Sequence, residues 1–560
     1  MNNIIKFLPI GGQAELGKNM TIFTINDEKF IIDAGYRIPE SEKLGVDTII
    51  PSFEYIIERQ DEFKGIFISH GHNDCMAAIS YLLKEVDLPI YTSSLTADLI
   101  EEIVGHYNRK SNNNIKPRIN RIHRNDSIKV GSVNIKVFPL THSIPGAIGF
   151  AFETPYGYLV HLGEYMIDFG APDYFRTDVQ SLMEIGNKGV LALFAESTYA
   201  IKTGYTAPYH KIYDLLKPIF EEASGRIIIA SYAQNIFRMK EIIEICRHYN
   251  RKLVIYDRNK YDTTNILLRS LNKGKYQEIL NSDNVIVDND AIGKDHQLVI
   301  LLTADPTRLY RDINNIIQGE DEILAFDPSD TFVMTCASVP GTEKIAAKVI
   351  DELYKTEAKI INFKNNNILS MHASQEDLKV ALQIFKPKYY FPIRGEFQHF
   401  IANEEIALEM GIPPENIIVA DNGEEITFRD GELIPNRTLY EIEDVMIDGI
   451  GIGDVGDKVI DDRIQLSKDG VVVIGITVND DREIVTYTDV QTRGFVYLKD
   501  SEHVVKEIIR LSEETIHEFR HDYSVDNNDI RLYIRDRVSR YIFKATGKKP
   551  VVLPVIIELN

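Results

Sequence analysis

The sequence has 560 residues, a hydrophobic fraction of 44% and a formal net charge of −22. One hydrophobic core does not organise a chain of this length, so about two to four domains are expected. No apolar run approaches the roughly 20 residues that span a bilayer, and the acidic balance argues weakly against a surface coated with nucleic acid.

The first two hundred residues or so predict mainly β-strands separated by turns. The stretch MNNIIKFLPIGGQ lacks the long apolar segment of a signal peptide and predicts a first strand. Further β-branched and aromatic runs predict the strands MTIFTI, KFIIDAG, GIFIS, LPIYT, VNIKVFPL, GYLVHL and GVLALF.

Helices alternate with strands between about residues 207 and 354, as in IYDLLKPIFEEA followed by GRIIIAS. This rhythm predicts a parallel sheet. The strand-like runs KIINF and KYYFPI then suggest that the chain returns to its first domain, and ADNGEEITFRDGELIPNRTLY predicts a linker with a hairpin. From about residue 450, a smaller α+β unit is expected, in which the strands GVVVIGITV and VVLPVIIEL flank a helix with one apolar face: Ile534, Val538, Tyr541 and Ile542.

The remaining bulk features favour simple interpretations. Cys75, Cys246 and Cys336 are far apart and form no disulfide framework, which is typical of a reducing cytoplasm. Two basic clusters are candidates for a local nucleic-acid channel, although each by itself is more typical of a solvated face: Lys116, Arg118, Arg121 and Arg124, and Arg531, Arg535, Arg537, Arg540 and Lys544.

Candidate functional residues follow the ends of apolar strands. His70 follows GIFIS, His142 follows VFPLT, Glu164 follows YLVHLG, Glu196 follows LALFA, and Arg394 follows YYFPI. Because strand ends converge on one crevice in α/β architectures, these segments are expected to meet in a single pocket.

Within this set, His70-X-His72-X-Asp74 places two imidazoles on one short loop, which suits a transition metal. Taken singly, each residue also has an ordinary interpretation: a polar turn, a core histidine or a solvated acid. His372, for example, precedes a helix that Ser374 and Asp377 are positioned to cap.

The order and spacing of these motifs resemble a known family. The HGHND loop, THS at 141–143 and GEYMID at 163–168 resemble the metallo-β-lactamase fold, while EST, SMHAS and PIRGE resemble the β-CASP nucleases. GGQAELGKNM, GVDTIIPSFEY, HSIPGAIGF, HASQEDLK, TRGFVY and KKPVVLPVI resemble the bacterial ribonuclease J family along the whole chain.

This resemblance implies an α/β chain: a metallo-β-lactamase αββα sandwich with an inserted β-CASP α/β domain and a small α+β C-terminal domain. The implied divisions are residues 1–206 and 355–425 for the sandwich, 207–354 for the insertion, 426–449 for a linker and 450–560 for an oligomerisation domain. It also implies Zn²⁺- or Mn²⁺-dependent cleavage of RNA, chiefly 5′ to 3′ from 5′-monophosphate ends.

Three positions depart from the family pattern, in which His stands at 75, Asp at 164 and His at 394. This chain has Cys75, Glu164 and Arg394. The resemblance assigns one ion to His70, His72 and His142 with Glu164 bridging, and a second to Asp74 with positions 75 and 394. Cys75 is either a thiolate ligand or a small, inert thiol, and Arg394 repels a divalent ion but suits a phosphate. One ion is therefore expected.

The resemblance also supplies catalytic and RNA-binding candidates. It places Asp74, Glu196 and His372 in the chemistry, with the histidine assisting the leaving group. It implies RNA contacts, alongside Arg394, for two segments: Ile368, Leu369, Ser370, Met371 and His372, and Ser231, Asn235 and Arg238. Met371 and the loop LLTADPT around Thr303 depart from the family's glycines.

Two functions follow from these expectations. The first is a weak ribonuclease that degrades and matures RNA, with exonuclease and potentially endonuclease activity. The second is an RNA-binding subunit, essentially without catalysis, that modulates an active ribonuclease J paralogue. Homodimers, homotetramers or a hetero-complex with that paralogue are the expected assemblies, and no membrane partner is expected.

Overall fold

The computed structural model describes residues 4–39, 45–256, 263–272, 276–280, 286–363, 368–449, 451–452, 457–495, 502–522 and 524–559. The chain divides into two compact units, Met1–Ser41 with Asp47–Ile452 and Glu42–Val46 with Gly453–Asn560. No helix within the described ranges combines the length and apolar character needed to cross a membrane.

The larger unit begins with a sheet whose strands are mostly consecutive in the chain. Its elements up to residue 121 are β1 Ile4–Gly11, β2 Met20–Ile25, β3 Glu28–Ile32, β4 Thr48–Pro51, α1 Glu54–Ile57, β5 Phe63–Phe67, α2 Asn73–Met76, α3 Ile79–Glu85, β6 Ile90–Thr92, α4 Ser94–Ser111 and β7 Ile119–Arg121. β1, β2, β3, β5, β6 and β7 are neighbours in that order, and β4 lies in a separate small sheet.

A second, six-stranded sheet packs on the first. It contains β8 Ser127–Val130, β9 Val133–Pro139, β10 Ile148–Thr154, β11 Gly157–His161 and β12 Val190–Glu196, with α5 Val179–Asn187 between the last two. The far edge is β18 Tyr389–Ile393, which pairs in parallel with β12. Aromatic rings fill the space between the sheets: the Phe7 and Phe194 centroids are 4.7 Å apart, and those of Phe23 and Phe152 are 5.4 Å apart.

The inserted segment forms a five-stranded sheet in which every pairing is parallel, as the sequence predicts. Its elements are α6 Tyr213–Glu222, β13 Ile227–Tyr232, α7 Ile236–His248, β14 Leu253–Tyr256, α8 Thr263–Leu271, α9 Gln277–Leu280, β15 Val299–Ala304, α10 Pro306–Ile317, β16 Thr331–Met334, α11 Glu343–Leu353 and β17 Lys359–Asn362. The strand order is β14, β15, β13, β16, β17.

The strand in KIINF lies in a different sheet from the one that the sequence predicted. KIINF, which contains β17, pairs with β16 in the inserted sheet and does not return to the first domain. The crossover through α11 brings β17 parallel to β16 and so completes a βαβ unit. The return is made by β18, after α12 Gln375–Phe385, and is followed by α13 Phe397–Glu409.

The stretch expected as a linker contributes strands to the larger unit. β19 Glu424–Arg429 and β20 Glu432–Leu433 form a hairpin, and β19 pairs with β1 at the edge of the first sheet. β21 Thr438–Leu439 pairs with β19, while β22 Asp444–Asp448 joins β4 and β23 Gly451–Ile452 in a three-stranded sheet.

The smaller unit contains α14 Asp457–Asp469, β24 Val471–Val478, β25 Asp489–Arg493, α15 Glu502–Glu518, α16 Asn527–Thr546 and β26 Val551–Glu558. β24 is the central strand, antiparallel to β25 and parallel to β26. The expected apolar face of α16 is buried at Ile534, Val538 and Ile542, and Tyr541 is half-buried beside it.

Candidate metal centre

Three imidazoles meet where β5 and β9 end. The ring centroids of His70, His72 and His142 lie 4.6–4.8 Å apart. Glu164, which follows β11, places Oε2 at 3.4 Å from Nε2 of both His70 and His142, and at 4.0 Å from Nδ1 of His72. The ligand atoms of all four residues lie within 4.8 Å of one another. The fold thus brings the expected first-ion ligands together.

Hydrogen bonds outside this cluster orient two of the rings. His142 Nδ1 lies 2.7 Å from the Met371 carbonyl oxygen and donates to it, so Nε2 carries the free lone pair. The Ser69 hydroxyl donates to Asp33 (3.0 Å) and accepts from His70 Nδ1 (3.0 Å). Such outer partners fix the tautomer that a metal ligand requires.

The residues present fit a divalent transition metal at this position. His70 Nε2 is buried and has no hydrogen-bond partner, although buried polar atoms are normally paired. An imidazole-rich set with one carboxylate is the donor set that zinc and similar ions prefer. Burial lowers the pKa of His72 and of His142, which keeps these rings neutral. Burial opposes ionisation of Glu164, but its contacts with His142 and His70 hold its pKa well below the usual range.

The second position has a different character. Asp74 accepts a hydrogen bond from the Asn19 side-chain amide at 3.0 Å, and the same amide lies 3.6 Å from Cys75 Sγ. Burial raises the pKa of Asp74 and of Cys75 well above their ordinary values, and the Glu164 charge raises that of Asp74 further. His70, Asp74, Cys75 and Glu164 are close enough to share an ion, but burial disfavours the thiolate form of Cys75 that a metal ligand requires.

Arg394 extends into this second position from the end of β18. Its Nη1 lies 3.4 Å from Cys75 Sγ and 3.4 Å from Glu164 Oε1, and its Nη2 forms an ion pair with Asp33. Burial would lower the pKa of Arg394, but the acidic groups around it, Cys75, Asp33 and Glu164, raise it. Glu164 therefore faces the histidines with one oxygen and the guanidinium with the other.

His372 stands beside the first position and is held by an acid. Its Nδ1 lies 2.8 Å from Glu196 Oε2, and its ring centroid lies 5.4 Å from that of His142. Burial alone would lower the pKa of His372, but the Glu196 carboxylate raises it to about 10. The capping of α12 by Ser374 and Asp377 is also present, so the ordinary interpretation of this segment and the functional one hold together.

The expected RNA-contacting segments line or adjoin one cavity of about 490 Å³. His72, His142, Ser370, His372, Asn235 and Arg394 contribute to its wall. Ser370 and Met371 reach it from the loop before α12, and the Leu369 amide donates to the Tyr209 carbonyl. Ile368, one residue earlier, is buried.

The inserted sheet contributes a second group of polar atoms. Asn235 caps α7 by accepting from the Arg238 amide, and Arg238 donates from Nη1 to the Thr335 carbonyl. Ser231 and Thr303 are register partners on β13 and β15, and both hydroxyls are buried without a hydrogen-bond partner. Hydroxyls available at strand ends near helix starts suit a phosphate.

The two basic clusters behave largely as paired surface charge. Arg118 pairs with Asp87, Arg121 with Asp98 and Glu101, and Arg124 donates to two backbone carbonyls. In the smaller unit, Arg537 pairs with Glu514 and Glu518, and Arg535 with Asp536.

Two site residues, Asp33 and Asn19, were missed by sequence reasoning. Asp33 follows the strand in KFIIDAG, so the strand-end rule that selected the other residues would have found it. Asn19 lies in GGQAELGKNM, which was noted only as a resemblance and not for any side chain.

An αββα sandwich with a histidine-rich centre at its strand ends defines a metallo-hydrolase of the metallo-β-lactamase type. Three family descriptions match this chain: "Ribonuclease J, beta-CASP domain" over residues 224–353, "Zn-dependent metallo-hydrolase RNA specificity domain" over 360–418, and "Ribonuclease J C-terminal domain" over 458–559. The chain belongs to the ribonuclease J family.

Individual relatives agree over the full length. Ribonuclease J 2 of Staphylococcus epidermidis is 32% identical over 559 residues, covering 100% of this chain and 99% of the relative. Ribonuclease J 2 of Staphylococcus aureus is 33% identical over 561 residues with the same coverage. A crystal structure titled as a protein of unknown function from Enterococcus faecalis shares the fold, with a TM-score of 0.53, 16% identity, and coverage of 76% of this chain and 100% of that one.

Proposed function

We propose that this chain hydrolyses RNA slowly, from 5′-monophosphorylated ends in the 5′ to 3′ direction, with a single divalent ion held by His70, His72 and His142 beside Glu164. The observation that carries the proposal is the contrast between the two positions. The first has three converging imidazoles and a buried Nε2 without a partner, whereas the second contains a guanidinium. Zn²⁺ and Mn²⁺ are the ions proposed.

The chain's own residues supply the remaining steps. An ion at the first position would lower the pKa of a bound water and so supply the nucleophile. His372 would give a proton to the leaving oxygen, because the Glu196 carboxylate at 2.8 Å keeps its imidazole protonated and oriented. Ser370 and Met371 would border the substrate, because both line the cavity. Ser231, Asn235 and Arg238 would hold the 5′-phosphate end.

Reduced turnover follows from the second position. Two ions normally stabilise both the attacking and the leaving oxygen of a phosphodiester. In the proposed one-ion centre Asp74 would hold no metal, and the Arg394 guanidinium contacts Asp33 and Glu164. Its remaining donors would give weaker stabilisation of the reacting phosphate than a divalent ion.

The test compares turnover of 5′-monophosphorylated RNA with Mn²⁺ for the wild-type chain and for the variant Cys75→His, Glu164→Asp, Arg394→His. The variant is expected to gain at least tenfold. Equal rates in the two proteins would contradict the proposed deficit. His142→Ala is the control that removes the first position, and it is expected to abolish the remaining turnover.

The altered second position also favours a second function, that of an RNA-binding subunit that modulates an active ribonuclease J paralogue. The same assay separates the two. If the wild-type chain binds the RNA but does not cleave it, the result would support the function of an RNA-binding subunit. In either case we propose assembly through the smaller unit as a homodimer, homotetramer or hetero-complex. Its sheet supports this, because Leu553, Val555 and Ile557 of β26 are exposed on the face opposite the helices.

A further inference from the structure

The second metal position contains an ion pair built from two strand ends. Arg394 follows β18 and Asp33 follows β3, and both side chains are buried, with 6% and 0% of their surfaces exposed. Glu164 Oε1 and Cys75 Sγ are two further neighbours of the guanidinium, each 3.4 Å from Nη1. A buried cation with two carboxylate partners is compensated, whereas a buried charge without a partner is costly.

These residues do not fit a second metal ion. A divalent cation bound by Asp74, Cys75 and Glu164 would lie next to a permanent positive charge, which repels it. Arg394 would have to leave Asp33 and Glu164 to relieve this repulsion. Glu164 would then bind the ion, but the buried Asp33 carboxylate would lose its cationic partner.

We infer that Arg394 is the resident cation of this position, so that the chain binds one divalent ion and neutralises Asp33 and Glu164 with its own guanidinium. The inference deepens the proposed one-metal function. It assigns Arg394 an internal role rather than that of holding the substrate phosphate, because Nη1 and Nη2 already contact two carboxylates and the Cys75 thiol.

Asp33 connects this cation to the first position. The Asp33 carboxylate accepts from the Ser69 amide at 2.7 Å and from the Ser69 hydroxyl at 3.0 Å, and that hydroxyl accepts from His70 Nδ1. The same carboxylate thus orients a ligand of the first ion and anchors the replacement for the second. Asp33 is a positioning residue in this scheme.

The first measurement counts metal in the full-length chain. Protein stripped with EDTA is equilibrated with saturating Mn²⁺, desalted and analysed by mass spectrometry, and the electron paramagnetic resonance spectrum reports whether bound Mn²⁺ ions are spin-coupled. One ion and an uncoupled spectrum are expected for the wild type and for Arg394→Lys. Two coupled ions are expected for Cys75→His, Glu164→Asp, Arg394→His. Two ions in the wild type, or one in the triple variant, would overturn the inference.

The second measurement follows thermal unfolding and involves no RNA. In EDTA, Arg394→Gln is expected to melt several degrees below the wild type, and Mn²⁺ is expected to raise its Tm more than that of the wild type, because the ion replaces the lost cation. Asp33→Asn combined with Arg394→Gln is expected to recover part of the loss. If Arg394→Gln matches the wild type in both conditions, the guanidinium is not the counter-ion.

The two arms also distinguish this inference from the proposed function. A wild type without bound metal would overturn both the proposed one-ion centre and the one-ion part of this inference. A wild type with one ion but no RNA turnover would contradict the nuclease proposal and leave the resident cation supported.

Discussion

Asp33 and Arg394 share an unusual backbone conformation, with φ of 62° and 57°. Residues other than glycine adopt this left-handed region rarely, and it persists where neighbouring contacts hold it. Here Asp33 pairs with Arg394 and accepts two hydrogen bonds from Ser69. Because β3 belongs to the first sheet and β18 to the second, this pair joins the two sheets beside the metal centre.

Glu241 gives a residue-scale prediction on pH. Its buried carboxylate accepts hydrogen bonds from the Ile212 and Tyr213 amides, and burial raises its pKa to about 7. A folded-state pKa above the ordinary value means that folding favours the protonated form. The contribution of Glu241 to the free energy of unfolding is therefore fully present below about pH 4.5 and is lost as pH rises through about 7.

We expect the contribution of Glu241 to the free energy of unfolding to fall by about 3 kcal/mol between pH 4.5 and 8. Glu241→Gln should flatten that part of the profile, measured as the Tm difference from wild type at each pH. Glu415→Gln, which changes an exposed acid outside this helix, is the control. Parallel profiles for wild type and Glu241→Gln would contradict the assignment.

Individual residues show where prediction from sequence was effective. The strand-end rule correctly predicted that His70, His142 and Glu164 would lie together. It could not predict that Arg394 would pair with Asp33, because that contact joins positions 361 residues apart and depends on side-chain direction. The sequence therefore suggested a phosphate ligand at Arg394, whereas the structure pairs its guanidinium with Asp33 and Glu164.

At the scale of elements, β22 connects the end of the larger unit to the loop before β2. It pairs with β4, and its first residue, Asp444, accepts from Lys18 and from Arg37, the latter at 2.7 Å. Glu15 pairs with the same two cations. The residue after Lys18 is Asn19, whose amide contacts Asp74 and Cys75. This ion-pair cluster thus supports the loop before β2, which carries Asn19.

Asp444→Ala is expected to destabilise the larger unit by about 1 kcal/mol. The reason is that it removes charge-assisted hydrogen bonds from a partly exposed site while Glu15 still pairs with Lys18 and Arg37. Chemical denaturation measures the change. Glu443→Ala, the exposed neighbour on the chain, serves as the control and should stay within 0.5 kcal/mol or so of wild type. Equal losses in both variants would contradict a specific role for Asp444.

The sequence predicted element types better than partners. The helix–strand alternation correctly predicted the parallel sheet, because each crossover helix fixes the direction of the next strand. KIINF was predicted as a strand but with the wrong partner, since an apolar run does not specify which sheet it joins. β10 was not predicted as a strand; Gly149 and Glu153 interrupt its apolar pattern.

At the scale of the whole molecule, the smaller unit has a sheet that packs α15 and α16 against one face. Val472, Ile474 and Ile476 of β24 point into the core, whereas Leu553, Val555 and Ile557 of β26 are about half exposed. β26 is also an edge strand in the order β25, β24, β26. Exposed apolar side chains on a sheet edge mark a surface that associates.

Val555→Glu is therefore expected to shift the protein towards monomer without lowering its Tm by more than a degree or two, because the side chain lies outside the core. Light scattering coupled to size-exclusion chromatography measures the mass. Leu532→Glu, an exposed apolar residue on α16, is the control and should leave the mass unchanged. An oligomer of wild-type mass in Val555→Glu would place the assembly surface elsewhere.

The ion pair of Arg394 has a consequence for how the centre responds to its surroundings. Arg394 supplies part of the positive charge of the centre. Because this charge is on an amino-acid side chain, neither a chelator nor metal starvation can remove it. Depletion of divalent ions would empty only the histidine side, leaving Asp33 and Glu164 neutralised and the strand ends in register, so that the chain can be reloaded without refolding.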